Sequence, residues 1–104
     1  MAYVLTAKTP GQLEVDEVKE GPIKLDEMYR LADCSLVEFV YLPKNFILVC
    51  DEEAMVTGKP LHWRPNADFG IFGQFFIAKE NEDGDIIPLI DSDMPALREI
   101  TENL

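Results

Sequence analysis

The sequence has few of the residues that form catalytic or metal centres. Its 104 residues include one histidine and two cysteines. Zinc needs three or four cysteine, histidine or carboxylate ligands at short spacings, whereas Cys34, Cys50 and His62 are 16 and 12 residues apart. Neither serine, Ser35 or Ser92, lies in a recognisable nucleophile motif. We therefore expect no metal, no cofactor and no catalytic residue, and we do not expect His62 to act as a base.

Long apolar runs are also missing. The run from Phe46 to Cys50 is far too short to cross a bilayer, and the apolar start of the chain is too short for the core of a signal peptide. Neither cysteine belongs to a C-x-x-C pair, so both are interpreted as reduced, buried side chains. A disulfide between them is the less favoured alternative. We expect a cytoplasmic protein with no membrane partner.

Cations are scarce. The chain carries 9 lysines and arginines against 20 acids, which gives a formal net charge of -11. Residues 51–104 are the more acidic half, with 12 acids against 4 bases. Proteins that bind nucleic acids usually carry a basic patch, so no direct nucleic-acid binding is expected. The acidity favours solubility, and the alternative is a surface that mimics nucleic acid.

Short strands and two helices account for the patterns that are present. The predicted strands cover residues 3–8, 13–18, 35–42, 46–50, 71–78 and 85–90. The first two flank the turn signal Pro10-Gly11. One helix starts at Leu25 and ends near Asp33, and another follows Ser92 or Asp93. The predicted fold is α+β in one domain over residues 1–104: a mostly antiparallel sheet of about five or six strands with two short helices, in the order ββα-ββ-loop-ββα.

Residues 51–70 show no periodicity. Glycine and proline interrupt this segment, so a long loop is predicted, with one helical turn near Glu52 to Met55. The strands at 46–50 and 71–78 are apolar on both faces and need cover on both sides of the sheet. Two short helices cannot supply that cover. Either the loop covers the second face or another subunit does, so a homo-oligomer is one of two expectations.

One part of this loop collects residues suited to ligand binding. Lys59, His62, Trp63 and Arg64 stand close together in an otherwise acidic chain. A cation beside an aromatic ring can stack on a base or hold a phosphate, and tryptophan and arginine are common anchors of protein interfaces. The alternative is that Trp63 covers the sheet face while the two cations neutralise neighbouring acids.

Gln74 is the fifth candidate residue. It stands between phenylalanines on a predicted strand, and a buried amide needs hydrogen-bond partners. Those partners are backbone from the loop or a ligand. The acidic runs Asp51–Glu53 and Glu80–Asp85 could attract a hard metal ion. Adjacent carboxylates rarely converge on one ion, so both runs are interpreted as solvated turns and no metal site is predicted.

Six segments follow one another in an order and spacing known from one family. They are Val40-Tyr-Leu-Pro43, Ile47 to Cys50, Asp51-Glu-Glu53, Gly58-Lys-Pro60, Arg64 and Ile71-Phe-Gly-Gln-Phe-Phe-Ile77. This arrangement resembles domain-of-unknown-function family 3846, small proteins of phages, plasmids and transposons. The family more often has asparagine at Asp51, glycine at Ala54, asparagine at Trp63 and threonine at Gln74. No catalytic residue is carried over from it.

The resemblance implies a non-enzymatic accessory protein of a phage or mobile element, acting in the cytoplasm of a host bacterium. Small acidic phage proteins often inhibit a bacterial defence system, so binding of a defence protein is the leading expectation. One alternative is a sponge that sequesters a nucleotide immune signal through the five candidate residues. Two others are a small metal-dependent nucleotide or phosphoester enzyme that uses Asp51–Glu53, and a regulator or structural partner within the mobile element.

Overall fold

A β-hairpin opens the fold. The computed structural model describes residues 2–66 and 69–102 of the chain. In it, β1 (Tyr3–Thr9) pairs antiparallel with β2 (Gln12–Glu17). The turn between them contains Gly11 at φ 73°, a left-handed conformation that glycine adopts readily because it has no Cβ. The hairpin predicted around Pro10-Gly11 is therefore confirmed.

Helix α1 (Leu25–Ala32) follows the hairpin. It buries Met28, Leu31 and Ala32, which lie on one face because helical side chains three and four residues apart are neighbours. The helix ends where Asp33 adopts a left-handed conformation at φ 51° and ψ 57°. The predicted end near Asp33 is confirmed.

The remaining elements come in chain order after α1. They are β3 (Val37–Tyr41), a 3-10 turn (Pro43–Asn45), β4 (Phe46–Asp51), β5 (Leu61–Asn66), β6 (Phe69–Phe72), β7 (Phe75–Glu80), β8 (Ile86–Ile87), a second 3-10 turn (Asp91–Asp93) and α2 (Met94–Ile100). The large sheet has the strand order β2-β1-β7-β4-β3, with β8 beside the end of β7. A second sheet consists of β5 and β6, and every strand pair within the described residues is antiparallel. The predicted α+β class, with an antiparallel sheet of about six strands and two helices, is confirmed.

The single strand predicted over 71–78 is wrong, and the long loop predicted over 51–70 is only partly right. The chain breaks at Gly73, which has φ 78° and donates its backbone N–H to the C=O of Pro60 at 2.8 Å. This break separates β6 from β7, and β6 pairs with β5 inside the segment predicted as a loop. Pro65 argued against a strand, but an edge strand tolerates proline. Residues 52–58 form turns, with a helical bond from the N–H of Thr57 to the C=O of Glu53 at 3.0 Å, in the region where one helical turn was predicted.

The large sheet is covered on both faces by the chain itself. Helix α1 packs on the face that contains Ile47, Val49 and Phe76. The second sheet and α2 pack on the face that contains Leu48 and Phe75. Of the two alternatives for covering the second face, the structure shows the segment after residue 51. The apolar face on which the expectation of a homo-oligomer rested is therefore already buried.

The C-terminal helix begins directly after Asp93, one of the two residues predicted to precede it. Pro95 lies in the first turn of α2, as predicted. The side chain of Asp93 does not cap α2; it accepts the backbone N–H of Ile90 at 2.9 Å and pairs with Lys79 Nζ at 3.0 Å. Strand β8 is shorter than the predicted 85–90 and ends before Pro88, which cannot donate to a sheet.

Both cysteines are free thiols, and the predicted burial is confirmed for Cys50 but not for Cys34. Cys50 is buried in β4, and Cys34 is half-buried after α1. Burial raises the pKa of the Cys50 thiol to about 12, and burial also raises the pKa of Cys34. No helix in the described part of the chain is long and apolar enough to span a membrane.

Candidate functional site

The structure separates the five candidate residues into three environments. Lys59 and Gln74 lie beside the C-terminal end of α1. His62 and Trp63 are buried, and Arg64 is exposed on β5. They do not line one common surface, so each is described in its own environment.

Lys59 forms a partly buried ion pair with Asp51. Its Nζ lies 2.7 Å from Asp51 Oδ2 and also donates to the C=O of Asp33 at 2.7 Å. The side chain of Asp51 is only 6% exposed, and its Oδ1 accepts the N–H of Glu53 at 2.8 Å. Burial alone would raise the pKa of Asp51, but the hydrogen bonds from Lys59 and Glu53 outweigh it and hold this pKa below its ordinary value. The same pairing raises the pKa of Lys59, so this ammonium group already has two oxygen partners.

Gln74 acts on the same helix end. Its Nε2 donates to the C=O of Leu31 at 2.8 Å, beside the bond from Lys59 to the C=O of Asp33. The last carbonyls of a helix have no intrahelical donor, so these two side chains cap α1 from outside. Gly73 allows the close approach, because a Cβ there would lie 2.8 Å from Lys59 Cδ. Of the two partners expected for Gln74, the structure shows a backbone carbonyl, and α1 supplies it.

His62 ties the second sheet to the first hairpin. It is 8% exposed, with Nδ1 3.1 Å from the C=O of Pro60 and Nε2 3.3 Å from the C=O of Lys8. A neutral imidazole has one N–H and can donate to only one of these carbonyls at a time. The backbone C=O of His62 also accepts the N–H of Gly11 at 3.2 Å. The residue thus joins β5 to the turn of the β1–β2 hairpin.

Trp63 belongs to the core. It is 4% exposed, and its ring stacks on Phe75 with centroids 5.9 Å apart and planes at 26°. Stacked aromatic pairs of this kind add stability beyond the area that they bury. The ring covers the sheet face, which is the alternative considered for it, and in this position it presents little surface to a nucleotide base.

The two acidic runs begin at the last residues of β4 and β7 and continue into turns. The interpretation of the first run as a solvated turn is wrong for Asp51, which is buried and paired with Lys59, whereas Glu52 and Glu53 are exposed. In the second run the side chain of Asn81 accepts backbone N–H groups of Asp83 at 3.0 Å and Asp85 at 2.9 Å, which fixes the hairpin tip. Within residues 2–66 and 69–102, no group of three or more histidine, cysteine or acidic side chains could hold a metal ion.

The outer edge of β3 is a feature that the sequence analysis missed. Among the described strands β3 pairs only with β4. The backbone N–H of Leu42 donates to the C=O of Phe46 at 2.9 Å, and the backbone N–H of Glu52 donates to the C=O of Leu36 at 3.0 Å. Hydrogen-bonded and non-bonded pairs alternate along an antiparallel ladder. The N–H and C=O groups of every second residue, at positions 37, 39 and 41, therefore point away from β4.

Exposed aromatic side chains accompany this edge. Phe39 is 40% exposed and Tyr41 is 69% exposed. They are paired with Val49 and Ile47, so they lie on the face of the sheet that carries α1. Glu38 precedes Phe39 in β3, so its side chain lies on the opposite face of the sheet, where it is also exposed. The edge therefore offers open backbone groups together with apolar surface.

A cleft of about 730 Å³ lies between the end of β2 and the start of α1. Residues of the connecting segment and the first turn of the helix line it, with charges of both signs that include Lys19, Glu20, Lys24 and Asp26. None of the five candidate residues lines this cleft.

Taken together, the fold and the site define a small α+β protein whose polar candidate residues largely hold the fold together. The chain matches the family model described as domain of unknown function (DUF3846) over residues 1–102. The protein therefore belongs to this family, and the resemblance noted from its segments is confirmed. Neither the curated proteins nor the solved structures compared with the chain include a match.

Proposed function

We propose that this is a non-enzymatic accessory protein of a phage or mobile element, and that it inhibits a bacterial defence system by binding a basic surface of a defence protein. The observation that supports a protein partner is the distribution of charge. Within the described part of the chain, several cations lie within ion-pair distance of an acid, among them Lys8, Arg30, Lys44, Lys59 and Lys79. Most of the acids are exposed. The family membership suggests the setting in a mobile element.

The same observation favours a protein over a nucleotide as the ligand. A nucleotide brings negative phosphates, which need cations that are free to bind them. Lys59 is already held by Asp51 and by a helix carbonyl, and the Trp63 ring is stacked on Phe75. A surface with many exposed carboxylates would instead steer a basic partner toward the protein.

Native mass spectrometry of the protein purified from bacteria is the first test, because it reports subunit number and retained ligand together. The protein is expected to carry no extra mass of nucleotide size. A retained nucleotide would overturn the choice of a protein partner and would support the sponge. Affinity capture from host lysate then supplies the partner, whose binding is measured at low and high salt.

A variant of the second acidic run tests the role of the negative charge. Replacing Glu82, Asp83 and Asp85 by the corresponding amides removes three exposed charges at the hairpin tip, while Asn81 still holds the turn. Association with the captured partner is expected to slow and to depend less on salt. The matched control exchanges aspartate and glutamate at the same three positions, which keeps the charge. Unchanged association rates in the amide variant and salt-independent binding would contradict the proposal.

A further inference from the structure

We infer that the open edge of β3 docks an extended, basic segment of a partner protein, which joins the large sheet as an additional strand. The inference rests on the proposed function, since it assumes that the ligand is a protein. It adds the place of binding and the chemistry of the bound segment.

The backbone of β3 supplies the first requirement for strand addition. Residues 37, 39 and 41 present N–H and C=O groups away from β4, as the bonded pairs at positions 36 and 42 show. An incoming extended segment would form hydrogen bonds with these outward N–H and C=O groups, as β4 does with the groups on the other side of β3. Main-chain hydrogen bonds provide affinity in such complexes, and alternate side chains provide specificity.

The side chains beside this edge define the sequence pattern of the segment. On the α1 face an added strand would lie against Phe39 and Tyr41, which favours apolar or aromatic residues. On the opposite face it would lie against Glu38. Glu52 is exposed and bonded to Leu36 at the start of β3, and Glu53 follows it. The expected segment therefore alternates apolar residues with lysine or arginine.

The other free edge of the large sheet lacks this character. Strand β2 carries three acids among its six residues, at positions 14, 16 and 17. Charged side chains are a common means by which natural edge strands avoid pairing with other chains. Strand β3 has one acid and two exposed aromatic residues. Of the two edges, β3 is thus the one suited to pairing.

Charge selects a basic partner over a second copy of the chain. Two copies joined through β3 would bring together chains that each carry a net charge of -11. They would also bring Glu38 and Glu52 of both copies close to a single seam. A basic segment gains attraction from the same groups, so it is the occupant that the structure favours.

The test is a selection of displayed random 12-residue peptides on the wild-type protein. The expected binders are rich in lysine and arginine, alternate these with apolar residues, and bind more weakly as salt increases. The central variant is Phe39→Pro, which removes an outward N–H but no bond to β4. It should bind the selected peptides about tenfold more weakly or worse. Phe39→Ala, which keeps the N–H, separates the effect of the side chain from that of the backbone.

Val15→Pro is the matched control on the other edge. Ala2 and Val18 form a bonded pair, so alternation places the N–H of Val15 on the free side of β2. This variant should keep wild-type affinity for the peptides. Amide hydrogen exchange supplies a readout without mutation: the amides at 37, 39 and 41 should exchange quickly in the free protein and slowly with bound peptide.

Four results would overturn the inference. The first is that selected peptides bind Phe39→Pro as well as wild type, and the second is that they show no enrichment in basic residues. The third is a homodimer in which the β3 amides are protected without peptide, which would assign the edge to a second copy. Fourth, if the partner captured from lysate still binds Phe39→Pro in a salt-dependent manner, the docking site is wrong while the proposed function stands.

Discussion

Replacement of Lys59 by methionine tests whether the Asp51–Lys59 pair holds the fold together. Methionine keeps most of the alkyl stem that lies over Gly73 but removes the ammonium group. Asp51, whose side chain is 6% exposed, would then be a nearly buried carboxylate without its cation. The C=O of Asp33 would lose its donor as well.

Lys59→Met is expected to lower the free energy of unfolding by about 3 kcal/mol. Removing one partner of a buried ion pair typically costs about 3–5 kcal/mol. The side chain of Lys59 is 27% exposed, so water relieves part of that penalty, while the lost bond to the helix end adds about 1 kcal/mol. In a domain of this size such a loss lowers Tm by about 12–24 °C.

The dependence on pH has a definite sign. The folded pKa of Asp51 lies below its ordinary value, so the stabilisation from the pair is present above the unfolded pKa of about 3.9. It is lost as pH falls through the lower folded pKa. The folded pKa of Lys59 is raised above its unfolded value of about 10.4. At the alkaline end the pair therefore loses its stabilisation only when pH rises through this raised folded pKa. The difference between wild type and Lys59→Met should be constant near neutral pH and should shrink in acid.

Urea unfolding followed by the fluorescence of the buried Trp63, the only tryptophan, gives both free energies by linear extrapolation. Lys44→Met is the control, because its pair with Glu99 is 3.9 Å long and well exposed and should contribute less than about 0.5 kcal/mol. Adding Asp51→Asn completes a double-mutant cycle with a coupling of about 1–3 kcal/mol. The proposed role of the pair is refuted if Lys59→Met lowers the free energy of unfolding by no more than Lys44→Met does. It is also refuted if the difference in this free energy between wild type and Lys59→Met is the same at pH 7 and in acid.

Three further predictions concern the core and the break between the sheets. Gly73→Ala should lower the free energy of unfolding by more than about 2 kcal/mol, because residue 73 has a φ of 78° and an added Cβ would meet the side chain of Lys59. Gly84 also has a positive φ but has open space around it, so Gly84→Ala should lower the free energy of unfolding by only about 1 kcal/mol. Thermal melting compares the two variants. By the same measurement, Trp63→Ala should lower the free energy of unfolding by about 3–5 kcal/mol. A decrease below about 1 kcal/mol would contradict the place of Trp63 in the core. With a pKa near 12, Cys50 should react with iodoacetamide far more slowly in the folded protein than in urea, and equal rates by mass spectrometry would contradict the buried thiol.

The elements that could be predicted from sequence are those that local patterns determine. The β1–β2 hairpin follows from a turn signal between alternating strands, and α1 from apolar residues at helical spacing. The run from Phe46 to Cys50 is apolar on both faces, and β4 is indeed an inner strand with every residue buried. In each case the physical cause lies within a few residues of the feature.

The break at Gly73 could not be predicted in this way. The sequence on both sides of it is apolar, so the period of the pattern does not change where β6 ends and β7 begins. The remaining signal was the pair Gly73-Gln74, since an isolated glycine in a strand pattern often marks an irregularity. The consequence is large, because the break turns β6 away from the large sheet and lets it pair with β5.

The candidate residues were identified without their partners. Lys59 was noticed as a cation in an acidic chain, but its bonds to Asp51 and to the C=O of Asp33 join segments that only the tertiary fold brings together. The same holds for Gln74, whose partner at Leu31 is far away in sequence. Which strand lies at an edge is likewise a property of the strand order. The pattern of β3 alone could not show that Phe39 stands beside open backbone groups.

The open edge and the negative charge make more sense together than separately. An edge with exposed Phe39 and Tyr41 in a neutral protein would invite pairing between copies, since edge strands are templates for other chains. Mutual repulsion between chains of net charge -11 opposes that pairing at moderate salt. High salt removes the repulsion but leaves the apolar surface. Self-association should therefore increase with salt while binding of a basic segment weakens, and opposite salt dependences measured by analytical ultracentrifugation and by peptide titration would distinguish the two uses of β3.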